Sequence, residues 1–162
     1  MHAGEQARRG ERAHRAQLGP GHHPGGGDRG GERQDGRPAA DQQPGERAEH
    51  ERHQGNEIAT KPYRYGGGHG RWRDSGYDCS GSVSFALHGA GLLDTPLDST
   101  GFMSWGVPGK GQWVTNYANS GHSYMIVAGL RFDTSGRAED GSRWHTDMRS
   151  ARGYTVRHPA GL

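Results

Sequence analysis

Between Met1 and Glu57 the chain contains no valine, isoleucine, phenylalanine, tryptophan, tyrosine or cysteine. Its only large apolar residues there are Met1 and Leu18. A stretch so poor in apolar side chains cannot bury enough surface to offset the entropy of ordering it. Residues 1–55 therefore read as a disordered low-complexity leader, interrupted by Gly25-Gly26-Gly27 and Pro44-Gly45. The residues able to build a core begin at Ile58, which places one domain over residues 56–162.

Other absences narrow the function. A single cysteine in 162 residues excludes an internal disulfide framework and a cysteine-based zinc knuckle. No apolar run is long enough to span a membrane. The N-terminus lacks the apolar segment of a secretory signal. The formal charge is only +2, and arginines and acids nearly balance over the first 60 residues, so there is no basic arm for nucleic acid. No nucleic-acid-binding motif is present either.

What is there begins with a turn of helix at Asn56–Lys61, with Asn56 as its cap and Pro62 as its stop. Tyr63-Arg64-Tyr65 reads as extended and leads into Gly66-Gly67-Gly68-His69-Gly70. Asp78 is an N-cap that puts Cys79 at the first helical position. Cys79, Val83, Ala86/Leu87 and Ala90 follow the spacing of one helix face, and Gly91 is the stop. Residues 92–110 read mostly as loop, with a helical turn at Phe102–Trp105. Strands are expected at Gln112–Tyr117, His122–Ala128 and Leu130–Asp133, with a turn at Asn119-Ser120-Gly121. Trp144 and Tyr154-Thr155-Val156 supply a further strand. A helix followed by an antiparallel meander is an α+β arrangement.

Chemistry concentrates at two points. A thiol is nucleophilic as thiolate, and the unpaired amides of a helix start favour that form at Cys79. His122 opens a strand directly after Gly121 and is the candidate base. A base histidine needs a third group to orient it. A tight hairpin around Gly129 would bring Asp133 back beside His122, with His145 and His158 as weaker candidates.

Tyr63-Arg64-Tyr65-Gly66-Gly67-Gly68-His69, then Tyr77-Asp78-Cys79-Ser80-Gly81-Ser82-Val83, then Gly121-His122 leading an apolar strand, resemble the NlpC-type cell-wall cysteine peptidases. The likeness covers roughly residues 56–133. It implies a papain-like α+β core, with the cysteine-bearing helix packed on a small antiparallel sheet. It implies Cys79 as nucleophile, His122 as base and Asp133 at the orienting position, where many members carry a second histidine. Tyr65 matches a tyrosine that lines the oxyanion site, and Ser80 is carried over as a substrate-lining residue.

The activity implied is hydrolysis of peptidoglycan stem peptides through an acyl-enzyme, with no cofactor and no metal. A monomer acting outside the cell or in its envelope is expected, although no export signal is visible. Three alternatives stand beside it: an amidase or acyltransferase using the same Cys–His pair, a non-catalytic cell-wall-binding module, and a metal site built from Cys79, His122 and Asp133.

Overall fold

The computed structural model describes residues 41–162, so the expected leader lies outside the described residues as far as residue 40. From there on the expectation fails. Pro44–Ile58 form helix α1, opened by a capping box between Gln43 and Glu46. Asn56 is thus inside the last turn of α1 rather than at a helix start. The inward face of α1 is Ala48, Glu51, Gly55 and Ile58, spaced as one helical stripe. Small residues replace large apolar ones because the neighbours come close. A Cβ at Gly55 would press on the Trp144 and Phe132 rings.

Helix α2 spans Cys79–Gly89, with the Asp78 carboxylate accepting from Gly81 N–H at 2.7 Å. It ends in a Schellman motif: Leu92 N–H donates to Leu87 O, Gly91 N–H donates to His88 O, and Gly91 has φ +69°. The short helix α3, Ser99–Phe102, is capped by Asp98 and buries Phe102. The expected turn at residues 102–105 is this element, starting three residues earlier.

The strands are β1 (Val107–Pro108), β2 (Val114–Asn119), β3 (His122–Val127), β4 (Leu130–Phe132), β5 (Trp144–His145) and β6 (Thr155–His158). A last short helix, α4, covers Arg137–Asp140. The six strands form one antiparallel sheet in the order β1-β6-β2-β3-β4-β5. The meander β2–β3–β4 follows the expected order, with β2 running over Val114–Asn119 rather than residues 112–117. The two segments expected to share one further strand lie on opposite sides of the β2–β4 core of the sheet: Trp144 in β5, and residues 155–158 in β6, which returns to pair with β2. The fold is α+β.

The β3–β4 turn is Ala128-Gly129, with φ of +46° and +83°. Positive φ at both positions is the type I′ geometry that matches strand twist, and it pairs Val127 with Leu130. Met125, Val127, Val114, Ala118 and Phe132 from the sheet meet Val83, Ala86 and Leu87 of α2 in one core. Among the described residues no helix is long and apolar enough to cross a membrane.

Two buried charged side chains sit where α1 joins the rest. Arg143 is fully buried and is solvated by the chain itself: Nη1 donates to the carbonyls of Ile58 and Lys61, each at 2.6 Å. Its Nη2 donates to Tyr77 and Pro62 carbonyls, and its Nε donates to Ser82 Oγ. Glu51 is also fully buried, but neither carboxylate oxygen has a hydrogen-bond partner among the described residues. Burial pushes its pKa up to about 8, against a small opposing pull from Arg47.

A folded-state value above the unfolded 4.5 means the fold binds the extra proton and loses stability as pH rises from 4.5 to about 8. Glu51→Met is therefore expected to stabilise the protein by roughly 3 kcal/mol at pH 7, at about 1.4 kcal/mol per pH unit above the unfolded value. The gain should shrink towards zero near pH 4.5. Urea unfolding of both proteins across this range checks it; a gain independent of pH would contradict the assignment.

Candidate active site

The glycine loop and the start of α2 are built as one unit. Gly66 and Gly68 have φ of +73° and +87°, values that side chains with a Cβ rarely adopt. Gly67 O accepts from Asp78 N–H, and Gly66 N–H donates to Asp78 Oδ2 at 3.0 Å. A Cβ on Gly81 would overlap the Gly67 carbonyl, so the loop can lie this close only on a glycine. The Asp78 carboxylate turns to the helix amides and the loop, and His69 Nε2 donates to it at 2.9 Å. Cys79 follows at the first position of α2 and is partly buried. The amides of Cys79 and Ser80, at the first two helical positions, have no backbone acceptor in the helix.

His122 is held by its own turn. Asn119 Oδ1 accepts from Gly121 N–H at 3.0 Å and from His122 N–H at 2.9 Å. His122, Tyr124 and Ile126 share the sheet face opposite Met125 and Val127. The pairing of β3 with β4 runs only from Met125 to Val127. Beyond it, the Ser123 backbone N–H and the His122 ring both interact with the Cys79 thiol and lower its pKa. The ring's Nε2 is committed to Asp133 Oδ1 at 2.8 Å.

Asp133 lies just past β4, diagonal to His122 across the hairpin, as its spacing predicts. Its side chain is fully buried. Oδ1 accepts from His122 and from Ser135 N–H; Oδ2 accepts from Arg131 and Arg149 at 2.7 and 2.9 Å. Burial alone would raise its pKa, but these donors hold the carboxyl well below the usual carboxylate range.

For His122, burial works against charge, yet the hydrogen bonds to Asp133 and Cys79 prevail and raise its pKa to about 9. Burial pushes the Cys79 thiol up and Asp78 adds to that; the hydrogen bonds from His122 and Ser123 outweigh both, and the thiol ends below its ordinary value. Both shifts favour a thiolate–imidazolium pair over a neutral thiol and imidazole. No family model, curated protein or solved structure matches the chain.

The alternative orienting residues are elsewhere. His145 is buried, with Nδ1 on Asp140 at 2.7 Å and Nε2 donating to the Asp133 carbonyl. It supports the Asp133 backbone and does not touch His122. His158 lies in β6 and contacts Gly109 O.

A cleft of about 430 Å³ opens at Cys79, lined by Tyr63, Tyr65, Gly66, His69, Asp78, Ser80, Asp98, Ser99, Thr100, Ser120 and Gly121. Ser80 lines the cleft, though its residue is almost fully buried and its hydroxyl bonds Asp78 and His69. Tyr65 is at the cleft but 90% exposed. Tyr63 also lines it, 53% exposed, and its pKa is raised first by burial and then by the charge of Cys79. Successive residues of an extended segment face opposite ways, and Tyr63 and Tyr65 are equivalent by alternation. The glycine that follows redirects the chain, which sequence periodicity does not register. His69 was also missed, and its signal was its place at the end of the glycine run.

A pH profile follows from the pair. The activity kcat/KM on a peptide substrate is expected to fall on the alkaline side with an apparent midpoint near 9, belonging to the coupled pair. Asp133→Asn should move that limb towards neutral, because it removes the charge that helps raise His122. The raised His122 pKa also contributes stability that is complete below 6.5 and lost as pH rises through about 9. A profile flat from pH 7 to pH 10 would contradict the pairing.

Proposed function

We propose that the protein is a cysteine peptidase of the NlpC type, with a papain-like core, that hydrolyses peptidoglycan stem peptides. The observation that carries this reading is the convergence of Cys79, His122 and Asp133 into one hydrogen-bonded row, with the thiol at a helix start beside a cleft. The sequence motifs around Cys79 and His122 support the substrate class. Such a substrate would place the protein at the cell envelope.

The Cys79 thiolate attacks the scissile carbonyl carbon, and the carbonyl oxygen takes up the negative charge. The unpaired amide of Cys79 would donate to that oxygen, with a phenol from Tyr63 or Tyr65, both at the cleft, beside it. The His122 imidazolium gives its proton to the leaving amine as the C–N bond breaks, and an acyl-thioester remains. Neutral His122 then removes a proton from water, whose oxygen attacks the thioester. Collapse returns the thiolate and frees the acid. Asp133 keeps the ring oriented and stabilises its cationic form.

Incubation of the purified protein with muropeptides tests the reading. New amine and carboxylate ends within the stem peptide, lost after alkylation of Cys79, are expected. Intact muropeptides with a freely alkylating Cys79 would refute the substrate assignment.

A further inference from the structure

Arg149, in the segment after β5, is the second guanidinium on Asp133. The first, Arg131, is buried and fully used: it donates to Asp133, to the Ser135 and Asp147 carbonyls and to both Asp147 carboxylate oxygens. Arg149 differs. Only Nη1 is engaged, with Asp133 Oδ2 at 2.9 Å and Ser135 Oγ at 3.2 Å. Its Nε and Nη2 have no acceptor among the described residues, and the side chain is 31% exposed. The guanidinium carbon lies 5.1 Å from the Tyr124 ring centre and 5.5 Å from that of Tyr154. Those two rings are the aromatic neighbours of His122, at 6.3 and 6.4 Å. An open, planar edge with fixed donors therefore stands beside the base.

The cleft at Cys79 has the opposite character: its lining includes Asp78 and Asp98 and, among the described residues, no lysine or arginine. His122 must reach the leaving amine, so the leaving part of the substrate lies on the histidine side. The geometry points to Arg149 as a specificity-determining residue that receives a carboxylate of the leaving amino acid on its Nε–Nη2 edge. This rests on the peptidase reading above. The guanidinium fork matches a carboxylate with two parallel hydrogen bonds, which a lysine cannot reproduce. Contact with the two tyrosine faces holds the cation in place, and its Asp133 bond fixes the plane without using the open edge.

The test uses two stem-type peptides that differ at one point: the leaving residue ends in a free carboxylate or in a primary amide. The wild type should favour the carboxylate in kcat/KM by about tenfold or more, the range expected of a charge-assisted pair. Arg149→Met should bring that ratio close to one. Its absolute rate should fall on both peptides, because Asp133 loses a donor; the ratio is the quantity a purely structural role would not move. If Arg149→Met does not fold, Arg149→Gln, neutral but able to donate to Asp133, takes its place. An unchanged ratio in the variant, or no preference in the wild type, overturns the inference.

Calorimetric titration of both peptides into Cys79→Ala protein separates the two readings. A carboxylate preference that is lost with Arg149, in a protein whose wild type cleaves neither peptide, keeps Arg149 as the recognition residue and removes the peptidase. No preference in binding removes Arg149, whatever the turnover.

Discussion

Cys79→Ala is expected to lower hydrolysis of stem peptides by at least about 10⁴-fold, the scale on which loss of a covalent nucleophile acts when its partners function as a unit. The fold should survive. Cys79 is at the first position of α2, only partly buried, and the helix is capped by Asp78 rather than by the thiol. Unchanged circular dichroism and an unchanged unfolding midpoint, alongside lost turnover, are the expected pair of results. Residual activity within tenfold of wild type would remove Cys79 from the chemistry. His122→Ala should cost nearly as much. Asp133→Ala should cost less, since Ser135 Oγ, 3.4 Å from His122 Nε2, can still hold the ring in part.

Arg143→Met should destabilise the protein by about 3–5 kcal/mol, the range for stripping a buried ionic or polar centre of its central partner. The methionine fills similar volume but donates nothing. The carbonyls of Ile58, Lys61, Pro62 and Tyr77 and the Ser82 hydroxyl would lose their donor. Burial pulls the Arg143 pKa down to about 10, so it is charged under ordinary conditions. Its charge is matched by carbonyl dipoles, among them those at the C-terminal end of α1, where a cation is favoured.

The same residue ties the site together through its backbone: Arg143 N–H donates to Ala59 O, and Arg143 O accepts from Asp133 N–H. Loss of stability should therefore come with loss of activity at temperatures where the protein is still folded. Urea unfolding gives the first effect and turnover the second. A cost below about 1 kcal/mol would show that water can replace the guanidinium.

The row Cys79–His122–Asp133 was legible because each member is announced locally. Asp78 before Cys79 is a helix cap, Asn119-Ser120-Gly121 before His122 is a turn, and Gly129 allows the tight hairpin that returns Asp133. Such signals act over a few residues and need no partner. Helix α1 was missed for the converse reason. Its inner face is Ala48, Glu51, Gly55 and Ile58, which carries almost no apolar signal; the apolar surface is supplied by Trp144 and Phe132, about ninety and eighty residues further on. Arg143, Arg149 and His69 were missed because a charged or polar residue in a loop looks the same whether it faces water or a cluster of buried carbonyls.

The chain by itself determined an α+β order of elements, a lone thiol at a helix start and a histidine at a strand start. Caps, turns and alternation are decided by neighbouring residues, so they are written in the local sequence. Tertiary structure decided that α1 belongs to the domain, that Tyr63 joins Tyr65 at the cleft, and that two arginines hold Asp133. It also decided the directions in which the Cys79 and His122 pKa values move. Those outcomes depend on burial and on contacts between distant segments, where desolvation opposes hydrogen bonding, and the balance exists only once the segments meet.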